Sequence, residues 1–186
     1  VYAGNLGETQ GFPAILDAAE SLSGEVAVRW IIVGDGRMGE WIAEQVAARG
    51  LKDVHLLGRH PLEAMPALFA EADALLVSLK ANEIIAKTIP GKVQTYLASG
   101  RPVLGAVDGE AAKVINESGA GLACPSGDAA ALSRIVRSMA SMTSEQREAM
   151  GRAGRQYYED HFARDKLMVT LESLMRKATL RKKEVS

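Results

Sequence analysis

An α/β protein on a parallel sheet is the fold class this sequence predicts, and three observations carry the prediction. Short β-branched or aliphatic runs alternate with longer segments of helical period. Each run ends in glycine or polar residues before the next helix begins, and no internal repeat interrupts the series. Together these describe a Rossmann-like, doubly wound parallel sheet of about six strands, followed by C-terminal helices. The strands are expected at 1–5, 28–33, 54–57, 74–78, 103–106 and 121–123, and the helices between them at 13–22, 39–49, 62–70, 92–98, 111–118 and 129–139. Pro13 suits a first helical turn, Asp128 before three alanines is a good N-cap, and Thr143 with Gln146 fits a capping box. From 144 to 162 and again from 164 to about 179 the pattern is helical alone, and the basic stretch 176–183 is expected to fray. The organisation expected is one domain over 1–179 and a basic tail over 180–186.

Composition narrows the function. With 22 Lys+Arg against 23 Asp+Glu in 186 residues, the chain lacks the basic excess of a nucleic-acid binder. At 47% hydrophobic and 24% charged residues it belongs with folded globular domains. The one cysteine, Cys124, has no internal partner and reads as a buried structural thiol, and no Cys/His cluster has the spacing of a zinc site. The apolar runs stop well short of the ~20 residues of a membrane span, so a cytoplasmic location is expected. The chain opens inside a strand, Val1-Tyr2-Ala3, with no initiator Met, and is expected to be a piece of a longer protein.

In such a sheet, ligands meet the loops beyond the carboxyl ends of the strands: 5–12, 34–39, 58–61, 79–92 and 107–110. Gly34-Asp35-Gly36-Arg37-Met38-Gly39 matches the dinucleotide fingerprint in letters. It follows the second strand instead of the first, however, and Leu57 leads into Gly58-Arg59 where that fingerprint needs an acid, so a plain strand-to-helix turn is expected. The loop from Gly4 to Gly11 carries three glycines in eight residues, which fits close wrapping of a phosphate or sugar, or a flexible turn. Pro90-Gly91 ahead of a helix frees its first N–H groups and Lys92 adds positive charge, an anion site that Lys80 and Lys87 flank. The alternative is a set of solvated charges. Arg59 at a strand end suits a phosphate, a base or solvent. His55, His60 and His161 are scattered, with His55 expected on a helix-covered face. No serine sits in a nucleophile elbow and no paired-Asp loop offers a magnesium cluster, so no metal and no cofactor are expected.

Taken together these features resemble the carboxyl-terminal donor-binding domain of GT-B glycosyltransferases, specifically the large retaining family 4. The resemblance runs over nearly the whole chain. Its carriers, in order, begin with Gly4-Asn5-Leu6-Gly7, Gln10-Gly11, Ile31-Ile32-Val33-Gly34-Asp35-Gly36 and Val54-His55-Leu56-Leu57-Gly58. They continue with Ala72-Asp73-Ala74-Leu75-Leu76-Val77, Ile89-Pro90-Gly91-Lys92, Tyr96-Leu97-Ala98-Ser99-Gly100-Arg101-Pro102-Val103, Gly119-Ala120-Gly121-Leu122 and Ser126-Gly127-Asp128. Each piece is weak and their order and spacing are specific. The Gly-Asn, Gln-Gly and Ile-Pro-x-Lys versions look most like enzymes that build bacterial O-antigen and capsule, often from UDP-activated amino sugars.

The resemblance implies a nucleotide-sugar donor, transfer with retention, and no metal. It places Gly4, Asn5, Gly7 and Gln10 at the donor diphosphate and sugar, Gly58 and Arg59 at the base with His60 beside them, and Ile89, Pro90, Gly91, Lys92 and Thr95 among the donor-binding residues. Two cations usual in the family stand here as Asn5 and Gln10, which makes Lys92 the leading candidate to neutralise the diphosphate, ahead of Arg59 and Lys87. The family's two glutamates stand here as Lys87 and Thr95, with Gln94 and Glu110 as imperfect substitutes for the second. The acceptor site and any catalytic residue are expected upstream of Val1. The tail helices resemble the segment that packs back toward that other domain. The partners implied are a nucleotide-sugar donor and a saccharide or lipid-linked acceptor, with no nucleic acid. The tail residues Arg176, Lys177, Arg181, Lys182 and Lys183 offer a contact to anionic lipid at the inner face of the cell membrane, or are simply solvated. Two rival readings stand beside this one: a nucleotide-sugar epimerase-like GT-B enzyme, and a non-catalytic GT-B domain with a degenerate donor site.

Overall fold

The structure is a computed structural model that describes the backbone of residues 1–184 and the side chains of residues 1–177. Six short strands are interleaved with helices: β1 (Tyr2–Ala3), α1 (Phe12–Leu22), β2 (Trp30–Val33), α2 (Gly39–Ala48), β3 (Val54–Gly58), α3 (Met65–Ala70), β4 (Leu75–Ser78), α4 (Gly91–Ser99), β5 (Val103–Ala106), α5 (Gly109–Glu117), β6 (Gly121–Cys124) and α6 (Ala129–Ala140). Two further helices, α7 (Ser144–His161) and α8 (Arg164–Glu184), close the chain. The expected helix over 62–70 opens as a 3-10 turn at Leu62–Ala64, because Pro66 has no N–H to close an α-helical bond to Leu62 O and the Met65 amide donates there instead. Asp128 caps α6 through the Ala131 amide at 2.8 Å, and Thr143 and Gln146 form the reciprocal capping box of α7.

The strands form two parallel ladders, β1-β2-β3 and β4-β5-β6. Along the strands they meet at a single residue, where the Val1 amine donates to Ala74 O and the Leu76 amide donates to Val1 O, both at 2.8 Å, and beyond the strand ends the Lys80 amide donates to Thr9 O at 2.8 Å. The spatial order is therefore β3-β2-β1-β4-β5-β6, and the direction of winding reverses between β1 and β4. Side chains alternate across it with period two. Tyr2, Ile32, Leu76 and Leu104 enter one core with Phe12, Ile15, Leu16, Leu132 and Val136 from α1 and α6. Ala3, Val33, Leu75, Val77 and Val103 enter the other with Phe69, Val93, Tyr96, Leu97, Val114 and Ile115 from α3, α4 and α5.

His55 departs from expectation. It is exposed, as is Leu57 two residues on, because β3 is an edge strand and the six-residue α3 packs Met65, Leu68 and Phe69 into the cluster around Ala3 and Val33, leaving the outer strand bare. Helix α8 runs from α7 with its side chains at 164–177 exposed, including Leu167, Met168, Leu171 and Leu174. Arg181, Lys182 and Lys183 of the basic tail lie outside the residues whose side chains are described.

Helix α7 lies against α4 through two glycines. A Cβ on Gly151 would overlap the Gly100 carbonyl oxygen, and one on Gly154 would sit 2.8 Å from the Ala120 Cβ. Alanine gains about 1 kcal/mol in helix propensity over glycine, whereas overpacking a tight contact costs about 1–3 kcal/mol. Backbone on backbone leaves no flexible side chain to give way, so the overlap wins. Gly151→Ala is expected to lower the denaturation midpoint in urea, and a midpoint equal to or above wild type would show that α7 shifts freely on α4.

Candidate functional site

The crevice between β1 and β4, at the carboxyl ends of the strands, is the place where an open α/β sheet of this order receives a ligand. Helix α4 begins beside it. Lys92, in the first turn, folds back over β1 instead of pointing along the helix axis: its Nζ donates to Tyr2 Oη at 2.5 Å and to Gln10 Oε1 at 2.9 Å, and stands 3.8 Å from the centre of the Tyr2 ring. The Tyr2 hydroxyl in turn lies 2.7 Å from Asn5 O and 2.9 Å from Gln10 Oε1, two acceptors for its one proton. Gly4 makes room for the lysine. A Cβ there would be 2.6 Å from Lys92 Cε and 2.9 Å from Nζ, and the backbone φ of 142° is one that glycine tolerates. Burial lowers the Lys92 pKa to about 8 and raises that of Tyr2. At neutral pH the cluster therefore holds one ammonium and a protonated phenol.

One turn along α4, Tyr96 reaches the next residue of β1. Its buried hydroxyl accepts from the Ala3 amide at 3.1 Å and donates to the Ala3 carbonyl at 3.2 Å, while its ring packs edge-on against Phe69. Burial pushes its pKa up to about 12. Beyond the strand, the β1 loop is locked to the β2 loop by backbone bonds: Gly4 N to Val33 O at 2.9 Å, Leu6 N to Asp35 O at 2.7 Å and Met38 N to Leu6 O at 2.9 Å. A Cβ on Gly34 would overlap the Gly4 carbonyl, and one on Gly36 would lie 2.6 Å from both Leu6 O and Asn5 Oδ1. The glycines of Gly34-Asp35-Gly36 thus serve the close approach of a neighbouring loop, which bears out the strand-to-helix turn and supplies its reason.

Among the residues singled out in the sequence, Gly4, Asn5, Gln10 and Lys92 come together. Gly7 precedes the 3-10 turn Glu8–Gln10 that swings Gln10 toward Tyr2. Ile89 and Pro90 are half-buried ahead of α4, and Gly91 opens the helix. Thr95 is exposed and its hydroxyl donates back to Gly91 O at 3.0 Å, so it is outside the Lys92 cluster and already partnered. Gly58 adopts a left-handed φ of 69° and its carbonyl accepts from the Gly34 amide at 2.7 Å. Arg59 and His60 beyond it are exposed, as are Lys80, Lys87 and Glu110. Cys124 is buried, with its thiol pushed up to about 11, chiefly by burial. Ser78 Oγ, at the end of β4 beside Gly11, is fully buried without a hydrogen-bond partner.

Sequence reasoning missed Tyr2 and Tyr96. Two signals were available: a tyrosine in a core strand needs a partner for its hydroxyl, and Tyr96 falls four residues after Lys92, on the same helix face. Among the described residues no cluster of three His, Cys, Asp or Glu gathers as a metal site, and no helix is long and apolar enough to cross a membrane.

Residues 1–141 match the sequence profile of the family described as Glycosyl transferases group 1. The chain is 28% identical over 137 residues to a probable glycosyltransferase, WbjE, of Pseudomonas aeruginosa, covering 73% of this chain and 34% of that protein. It is 32% identical over 100 residues to a putative colanic acid biosynthesis glycosyl transferase, WcaI, of Escherichia coli (strain K12), covering 54% of this chain and 24% of that protein. In structure it is similar to HepE of Anabaena, solved in complex with UDP, with a TM-score of 0.74 at 20% identity over 92% of this chain and 48% of that one. The chain thus spans about a third or less of those curated relatives, and about half of HepE.

The lowered Lys92 pKa fixes a pH effect on stability. Between about 8 and its ordinary 10.5, the unfolded chain holds a proton that the folded chain has shed, so wild-type stability rises with pH through that window and the penalty is fully present below it. Lys92→Met, with no titrating group, lacks this term. Denaturant titrations of both proteins from pH 7 to 10 are expected to show wild type gaining on Lys92→Met as pH climbs. A constant difference would mean that the ammonium is not desolvated.

Proposed function

The chain belongs to the glycosyl transferases group 1 family, and we propose that it is the donor-binding half of a retaining glycosyltransferase that uses a UDP-sugar in bacterial surface polysaccharide synthesis. The observation that carries this reading is the Lys92 ammonium, held inside the Gly4–Gln10 loop at the switch point of the sheet. In the free protein it is satisfied by two neutral acceptors, Tyr2 Oη and Gln10 Oε1. Diphosphate oxygens make shorter and stronger bonds to an ammonium than neutral oxygens do, so the donor displaces those acceptors. The charge that grows on the diphosphate as the sugar departs is then met by Lys92 and by the first amides of α4. No metal or cofactor enters this scheme; the nucleotide-sugar is a substrate.

Gly58 and Arg59 are assigned to the base. For the ribose, Thr95 is a poor replacement for a glutamate because its hydroxyl is committed to Gly91 O. That observation favours a second reading, a non-catalytic domain with a degenerate donor site. The epimerase-like alternative needs an acid and a base in the crevice, and the groups that line the Lys92 cluster are amide, phenol and ammonium.

The acceptor, a saccharide or lipid-linked saccharide, is assigned to the half of the protein outside this chain. Helix α8 supports that division: Leu167, Met168, Leu171, Leu174 and Met175 repeat at i, i+1, i+4, i+7 and i+8 and are exposed, an apolar stripe suited to packing on another domain. The same helix is basic toward its end, at Arg176 and Lys177 and on through Arg181, Lys182 and Lys183, which suits work at the cytoplasmic face of a membrane.

Calorimetric titration of the complete protein with UDP, GDP and a UDP-sugar tests the reading. UDP is expected to bind in preference to GDP, and Lys92→Ala to weaken it about tenfold to a hundredfold, the range for one charge-assisted hydrogen bond. Absence of binding by all three nucleotides would support the degenerate domain.

A further inference from the structure

We infer that Tyr96 is a positioning residue that keeps the donor crevice open by standing in for β4 along β1; the inference rests on the donor-site reading above. At Val1 the two ladders are joined by ordinary backbone bonds to Ala74 O and from Leu76 N. Continued by the parallel rule, the next contact of β1 toward β4 would use the amide and carbonyl of Ala3. Both are occupied by one phenol oxygen instead, at 3.1 and 3.2 Å. A side chain inserted between two parallel strands forces them apart at that level, and that level is the floor of the crevice, directly below Gly4.

The consequence for the donor is geometric. Ala3 is the residue between Tyr2, on which Lys92 rests, and Gly4, against which the lysine stem packs. With Ala3 pinned by Tyr96 and its neighbours met by Lys92, one face of α4 fixes three consecutive residues of the strand. Without the hydroxyl, the buried Ala3 amide and carbonyl lose their partner, and polar groups of that kind do not stay unsatisfied. They find one by closing on β4, which moves Gly4 and narrows the crevice, or by admitting water, which loosens the loop. Either change alters the loop that receives the diphosphate while the Tyr96 ring stays packed on Phe69.

Two variants of the complete protein separate this role from packing. Tyr96→Phe removes only the hydroxyl and Phe69→Leu removes only the ring partner. With UDP as the probe, Tyr96→Phe is expected to raise Kd about tenfold, the size of one lost buried hydrogen-bond pair. It is also expected to speed hydrogen exchange of the peptide over residues 2–7, with a fall in melting temperature of about 2–4 °C. Phe69→Leu is expected to lower the melting temperature and leave the UDP Kd within twofold. Wild-type affinity in Tyr96→Phe, or an equal loss of affinity in Phe69→Leu, overturns the inference and leaves the donor site standing. If the wild-type protein binds no UDP, the donor-site reading fails first; exchange over residues 2–7 then decides by itself whether the hydroxyl holds the strand.

Discussion

The ammonium of Lys92 resting on Tyr2 and Gln10 is the interaction on which the rest of this site depends. It joins the helix that follows β4 to the strand and loop that open the chain, across the one seam where the backbone ladders barely touch. Sheets usually hold their strands in register by amide-to-carbonyl bonds. Backbone bonds do this for β1 on its β2 side, whereas on its β4 side beyond Val1 the contacts come from two side chains of α4, one turn apart, and one of them carries a charge. Partial burial makes that charge costly in the free protein, which is why the Lys92 pKa falls to about 8. Two acceptors and a ring face offset the cost without neutralising it. An anion entering the crevice meets a cation with few competing partners.

The glycines of the first two loops belong to the same constraint. Gly4 admits the lysine from one side, and Gly34 and Gly36 let the β2 loop press on it from the other. The β1 loop is therefore gripped between a helix and a second loop, with backbone bonds from Gly4, Leu6 and Met38 fixing its path. A loop held this way presents its amides in a set geometry before any ligand arrives, and preorganised donors stabilise developing charge more effectively than mobile ones. The letters of a dinucleotide fingerprint arise here from close packing of backbone on backbone. Identical spacing can serve two different contacts, and only the partner of each glycine separates them.

Much of the fold was legible in the sequence because it rests on local rules. Alternation of apolar runs with helical periods located the six strands and the helices, and Asp128, Thr143 and Gln146 marked helix starts by capping chemistry that needs no tertiary information. The resemblance to family 4 glycosyltransferases, carried by short pieces in order, led to the group 1 family. What remained hidden depends on contacts between distant parts of the chain. Tyr2 and Lys92 are ninety positions apart, as the sequence separation of their bond records. His55 was misplaced because period two says which residues share a face and nothing about whether a helix covers it. Lys92 was recognised as a cation, but its direction was not. Helix geometry sets which residues share a face but not how a long side chain bends, and the space left by Gly4 lets this one lie over β1.

A crystal structure of the complete protein with UDP tests the central claim most directly. If Lys92 is the residue that meets the diphosphate, its Nζ will have left Gln10 Oε1 and will lie within hydrogen-bonding distance of a phosphate oxygen, with Gly4 and Tyr96 unmoved. A diphosphate bound on Arg59 or Lys87, with Lys92 still seated on Tyr2 and Gln10, would contradict it.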